Sequence, residues 1–182
     1  MPVLAQVAAD NTVGTTVIGN SPFTVTGGTQ QLTTLFHSFT EFSPGTANVL
    51  FQLNGSQSTV ETVIGRITGT NASLIDGQLR LTGGNNPDLF LINPNGITFE
   101  ANATLDLPGS FTASTAESVL LADDQPFSAT NPAAAPLLTV STPVGFQMGR
   151  ASGDIHIEDT GYGLADISNL SSPGVSGLEV QP

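Results

Sequence analysis

Leu89-Phe90-Leu91-Ile92-Asn93-Pro94-Asn95-Gly96-Ile97-Thr98-Phe99 places two short apolar runs on either side of a four-residue bend. Four consecutive apolar residues, Leu89 to Ile92, mark a strand covered on both faces or lying at a crowded corner, since a half-solvated strand would alternate with polar residues. Pro94 fixes its own φ and pushes Asn93 into an extended conformation. Asn95 tolerates the left-handed region, and Gly96 lifts steric limits where the next strand begins. The side-chain amides of Asn93 and Asn95 can bond backbone groups that a tight corner would otherwise leave unpaired. Asn93, Pro94, Asn95, Gly96 and Ile97 are therefore the candidate site residues, read physically as a sharp, reproducible corner.

The same texture extends along the chain. Apolar residues come in bursts of two to five, separated by Gly, Pro, Asn, Asp or Ser-Thr clusters, and no helical period lasts beyond two turns. This predicts an all-β fold. Expected strands are Thr15–Ile18, Thr24–Thr26, Leu35–Phe39, Asn48–Gln52, Gly77–Leu81, Leu89–Ile92, Ile97–Phe99, Leu105–Leu107, Phe111–Ala113, Val119–Leu121, Leu137–Val140 and Ile155–Ile157. Val60–Ile67 is the one helix candidate, with strand its rival because Val60, Thr62, Val63 and Ile64 are β-branched. Between Asp76 and Leu121 short strands recur about every seven to ten residues. Asp76-Gly77 suits a hairpin turn, but the other linkers do not. Three strands per coil of about 20 to 30 residues would make a solenoid in which each coil buries its inward side chains against its neighbours. Internal identity between coils is weak, so the stride favours a solenoid without ruling out a sandwich.

Composition narrows the function. The 182 residues suit one domain. Only 10% are charged, no lysine occurs, and Arg66, Arg80 and Arg150 face fifteen acids for a net charge of -12. Three scattered arginines cannot form the basic stripe that nucleic acid or an anionic membrane requires. Cysteine is absent, so neither disulfides nor thiolate metal sites hold the fold. No apolar run reaches the 18 residues of a membrane-spanning helix. Residues 1–5 read either as the remnant of a secretory signal cleaved after Ala5, with Met1 then outside the natural chain, or as an ordinary flexible terminus.

Four other groups bear on possible chemistry. Asp123-Asp124 reads as a loop tip, because nothing basic adjoins it. Asp154, His156 and Glu158 share one face of a strand, as a metal site would require, but the alternation with Ile155 and Ile157 inward also explains a half-buried edge strand. His37, between Phe36 and Ser38, reads as a satisfied structural histidine. Gly83-Gly84-Asn85-Asn86 lacks the helix and lysine of a phosphate loop and reads as a turn. No catalytic, metal or cofactor residue is assigned, and the chain is expected not to be an enzyme.

The block Leu89 to Phe99, followed by Gly109-Ser110-Phe111-Thr112-Ala113-Ser114-Thr115-Ala116, resembles the amino-terminal two-partner secretion domain of filamentous haemagglutinin-type exoproteins. Leu35-Phe36-His37-Ser38-Phe39, Ile75-Asp76-Gly77 and Phe127-Ser128-Ala129-Thr130-Asn131-Pro132 agree with it, so the resemblance spans roughly residues 12 to 150. It implies a right-handed parallel β-helix with an amino-terminal cap and extra-helical β-hairpins. It also implies a secreted or cell-surface exoprotein that passes the periplasm and engages the periplasmic domains of a dedicated outer-membrane pore, with no cofactor. A second family motif, Asn-Pro-Asn-Leu, is missing; Asn86-Pro87-Asp88-Leu89 is the nearest string, and no second partner contact is carried over.

The expected layout is a single, monomeric secretion domain over 1–182, the amino-terminal fragment of a longer exoprotein. Cap and first coils fill 6–75, and coils fill 76–182 with an excursion at 122–136 in which Phe127 closes a small hairpin. The alternatives from other classes are a glycan-binding or polysaccharide-degrading β-helix and an adhesin surface.

Overall fold

The computed structural model describes residues 5–122, 125–132 and 143–158. In chain order the strands are β1 (Gln6–Ala9), β2 (Thr15–Ile18), β3 (Phe23–Gly27), β4 (Thr29–Gln31), β5 (Thr34–Ser43), β6 (Val49–Gln52), β7 (Thr62–Ile67), β8 (Ser73–Ile75) and β9 (Gln78–Thr82). There follow β10 (Asp88–Ile92), β11 (Ile97–Phe99), β12 (Thr104–Asp106), β13 (Phe111–Ser114), β14 (Ser118–Leu121), β15 (Pro126–Ser128), β16 (Pro143–Gln147) and β17 (Ile155–Ile157). The expected strand Leu137–Val140, Asp123-Asp124 and the part of the expected coils beyond residue 158 lie outside the described residues.

The chain winds as an all-β parallel solenoid of about four turns. Its three walls are β5-β7-β10-β13, β3-β6-β9-β12 and β8-β11-β17, each parallel throughout. Thr34 lies opposite Thr62, Thr62 opposite Asp88, and Leu89 opposite Phe111, which sets the coil lengths at 28, 26 and 22 residues. These fall within the stride expected from the sequence. At one end the first two walls are sealed by antiparallel strands: β1 and β4 pair with β5, and β2 pairs with β3. At the other end, among the described residues, β12, β13 and β17 are the last strands of their walls.

Parallel, in-register stacking puts like residues on like faces, and the core follows from that. In the first wall Leu35, Val63, Leu89 and Phe111 form one inward row, and in the second Phe23, Val49, Leu79 and Leu105 form another. Most of these side chains are fully buried, at about 1.5–3 kcal/mol each. The outward row of the first wall, Phe36, Ile64 and Phe90, is apolar as well. It is covered by a strap, the antiparallel sheet β15-β14-β16, through Val119, Leu121 and Phe127. The ring of Phe127 meets Phe36 edge-on at 4.9 Å, and that of Phe146 lies 6.3 Å from Phe90. The run Leu89 to Ile92 is thus covered on both faces, as expected.

Three local expectations are corrected. Val60–Ile67 contains strand β7 and no helix. Val119–Leu121, expected as a coil strand, belongs to the strap, where it pairs antiparallel with β15 and β16. Asp76-Gly77 turns the chain from β8 into β9, which lie in different walls, so it is a coil corner and not a hairpin. The hairpin closed by Phe127 is present, with Phe127 opposite Val119.

Candidate functional site

The corner Asn93-Pro94-Asn95-Gly96 joins β10 in the first wall to β11 in the third. It is a four-residue turn closed by the Gly96 amide donating to the Asn93 carbonyl at 3.1 Å. The left-handed residue is Gly96, at φ +120°; Asn95 is not left-handed, contrary to the reading of that residue. Asn93 is fully buried. Its Nδ2 donates to the Asn71 carbonyl and to Ser73 Oγ, both at 3.0 Å, on the coil below. Its Oδ1 accepts from the Asn95 backbone at 3.0 Å and from Asn95 Nδ2 at 2.9 Å. Asn95, exposed, also donates from Nδ2 to the Gly69 carbonyl at 2.9 Å.

The corner is held from the other side too. The Asn93 amide donates to Ser114, the Ile97 amide to Asp154, and the Gly153 amide to the Pro94 carbonyl. Ile97 then drops into the core with no exposure. The five motif residues therefore form a spacer locked between consecutive coils, with Pro94 and Asn95 its outward parts. Asn86-Pro87-Asp88-Leu89 is a second corner, between β9 and β10. There Asp88 Oδ1 accepts the Ser110 amide at 2.7 Å, and Asn86 takes φ +49°.

A second polar centre was not foreseen. Arg66 on β7 lies in the outward row between Ser38 and Ile92 and is fully buried under the strap. Its Nε donates to Ser38 Oγ at 2.7 Å, one terminal nitrogen to the Ser128 carbonyl at 2.6 Å, and the other to Thr12 Oγ1 at 2.9 Å and the Pro132 carbonyl at 3.4 Å. The guanidinium carbon stands 4.1 Å from the centre of the Phe127 ring. Asp10 completes the group, accepting from Ser38 Oγ at 2.5 Å, Thr12 Oγ1 at 2.7 Å, the Thr12 amide at 2.9 Å and Thr68 Oγ1 at 3.0 Å. Burial acts to raise the Asp10 carboxyl, but the hydrogen bonds from Ser38, Thr12 and Thr68 outweigh it and hold the group below its ordinary value. Burial lowers Arg66 to about 10, with Asp10 opposing that shift. The available signal was an arginine inside the apolar string Val63-Ile64-Gly65-Arg66-Ile67.

The remaining groups stay apart. His37 is buried on the inward face, with Nδ1 3.2 Å from Thr15 Oγ1 and its ring 6.2 Å from Phe39 and 5.8 Å from Phe51; burial lowers its pKa to about 3. His156 Nε2 lies 3.3 Å from Glu158 Oε1, both well exposed. Ile155 and Ile157 align with inward Ile97 and Phe99 but are 45% and 69% exposed, so β17 is not the half-buried edge strand expected. No cluster of three metal-ligating side chains occurs among the described residues. Gly83-Gly84-Asn85-Asn86 is a bend in which Gly83, Gly84 and Asn86 take positive φ.

Capped coils, a strap over one wall and asparagine-locked corners define a capped parallel β-solenoid. The model of the TPS (two-partner secretion) secretion domain family matches residues 5–169, and the chain belongs to that family. The domain is thus the secretion domain of an exoprotein exported across the outer membrane by the two-partner route. Comparison with curated proteins and with solved structures gave no match. No helix among the described residues is long and apolar enough to cross a membrane.

Proposed function

We propose that this domain acts as a recognition and folding signal. In extended form it engages the periplasmic domains of its outer-membrane pore, and once outside it folds into a capped stack that templates the coils of the passenger. One observation carries this reading: the two ends of the solenoid differ. Antiparallel strands close the first end. At the other, β12, β13 and β17, each parallel to its wall neighbour, surround a mainly apolar hollow of about 220 Å³ lined by Phe99, Glu100, Ala103, Leu105, Phe111 and Ile157. A further coil laid on this end would bury Leu105 and Ile157, now 51% and 69% exposed, and continue three hydrogen-bonded ladders at once.

Recognition of the unfolded chain is consistent with strand addition, which reads backbone and alternate side chains without a preformed pocket. The role is recognition and not catalysis, and the folded domain is a monomer released or displayed at the cell surface. The test is secretion of a passenger from cells carrying the cognate pore. Replacing the domain by an unrelated β-solenoid should abolish release, while Leu105→Asp with Ile157→Asp should permit export of the domain yet leave the following coils protease-sensitive. Undiminished release without the domain, or a fully folded passenger above the doubly charged end, would overturn the reading.

A further inference from the structure

Arg66 is served by three parts of the chain. Thr12 belongs to the cap, Ser38 to the first coil, and Ser128, Phe127 and Pro132 to the strap. We propose that Arg66 is a latch that makes docking of the strap conditional on the amino-terminal cap.

The argument rests on the polarity of two hydroxyls. Ser38 Oγ and Thr12 Oγ1 each have one proton, and each donates it to Asp10. Their lone pairs are thereby turned toward Arg66, which donates to both. Asp10 thus fixes two acceptors for the guanidinium and supplies the opposing charge, although its hydrogen-bond partners, Thr12, Ser38 and Thr68, all lie outside the strap. The strap supplies the rest of the shell through two carbonyls and the face of Phe127. A buried cation with part of its shell missing is strongly unfavourable. With the cap loose, covering Arg66 would leave it facing unoriented hydroxyls, and the strap stays open. With the strap absent, Arg66 remains hydrated and the outward row Phe36, Ile64 and Phe90 uncovered. Resting on the export reading, this would keep a chain emerging amino terminus first loosely folded until residues 126–132 arrive.

The test uses the whole 182-residue chain and does not depend on secretion. Hydrogen exchange is followed at strap amides, namely Glu117, Leu121 and Ala129, which donate to Gln147, Gln125 and Glu117, and at the Leu53 amide on the second wall, which donates to Thr82. Asp10→Asn and Thr12→Val should each speed exchange in the strap by about tenfold or more, as expected for loss of charged hydrogen bonds, and leave Leu53 unchanged. In an Arg66→Met background, Asp10→Asn should add nothing in the strap. Unaltered strap protection in Asp10→Asn, equal acceleration at Leu53, or the same effect with and without Arg66 would each overturn the latch. Should Arg66→Met fail to fold, Thr12→Val decides alone, since it removes one relay and leaves both charges. Loss of release with strap protection intact counts against the latch and leaves the export reading standing. Lost protection with normal release leaves the latch and frees it from export.

Discussion

Asn93→Asp preserves the shape of the buried corner and reverses half its hydrogen bonding. The carboxylate still accepts from the Asn95 amide and from Asn95 Nδ2. Both donor bonds of the original amide are lost, and a charge now faces the Asn71 carbonyl at a site with no exposure. Ser73 Oγ can turn to donate, which recovers part of one bond. Two lost bonds at about 1 kcal/mol each, with one acceptor left buried against an unpaired charge, come to about 3 kcal/mol. For a domain of this size that is a fall in Tm of roughly 6–12 °C. Asn95→Asp is the internal control: it loses the Nδ2 bonds to the Gly69 carbonyl and to Asn93 Oδ1, but Asn95 is exposed, water takes up both positions, and the cost should stay at about 1 kcal/mol. Urea unfolding of the purified domain measures both. If the motif acts through the fold, release through the pore should fall in the same order, Asn93 before Asn95. A destabilisation by Asn93→Asp below about 1 kcal/mol, or smaller than that of Asn95→Asp, would refute the corner as the source of the motif's importance. A release defect in Asn95→Asp with full stability would instead mark a direct contact with the transporter.

Stability should fall in mild acid because of His37. The folded ring stays neutral down to about pH 3, while in the unfolded chain it titrates near 6.5, so between these values the unfolded state binds more protons. The contribution is complete above pH 6.5 and is lost as pH drops, by about 2 kcal/mol at pH 5. Urea midpoints from pH 8 to 5 should show it, and His37→Gln should flatten the profile; an unchanged slope in the variant would assign the effect elsewhere. Gly77→Ala should destabilise by more than about 2 kcal/mol, because the added Cβ would run into the backbone carbonyl of Ala47 on the coil below. A near-neutral result in urea unfolding would mean that the coils separate more easily than their packing implies.

Much of the solenoid was legible because its strands are short, apolar and evenly spaced: Thr15–Ile18, Ile97–Phe99 and Ile155–Ile157 form over the expected residues. The helix reading of Val60–Ile67 has its physical origin in the wall buried on both faces. In Val60–Ile67 the buried apolar residues are Val60, Val63, Ile64 and Ile67, the spacing of a helix face. Val63 and Ile67 fill the inner core, and Ile64 lies under the strap. Two-sided burial fills both parities of a strand and can imitate the helical period. The cap strands β1 and β4 and strap strand β16 were missed because Gln6–Ala9, Thr29–Gln31 and Pro143–Gln147 carry little local signal and owe their form to distant partners β5 and β14. At the corner the roles of Asn93 and Asn95 as backbone partners were readable from amide chemistry, whereas the identity of the left-handed residue depended on how the turn closes.

The Arg66 centre was invisible for a different reason. Strand periodicity says which residues share a face, not what lies over that face, and an outward arginine normally meets water. Here the same outward face carries Phe36, Ile64 and Phe90 in one row and Ile92 beside Arg66 in the next, an apolar surface large enough to call for a cover. The cover comes from β14, β15 and β16, more than fifty positions beyond Arg66, so the cation has to wait for it. An aliphatic residue at that position would let the strap dock on any apolar row it met. A buried guanidinium admits only the arrangement in which Ser38, Thr12 and the strap carbonyls are all in place, and so ties a single register to the wall at the expense of some stability. The fourth coil offers only Thr112 and Ser114 on that face, so the strap's place is over Phe36, Ile64 and Phe90 of the three coils before it, with Arg66 at its centre.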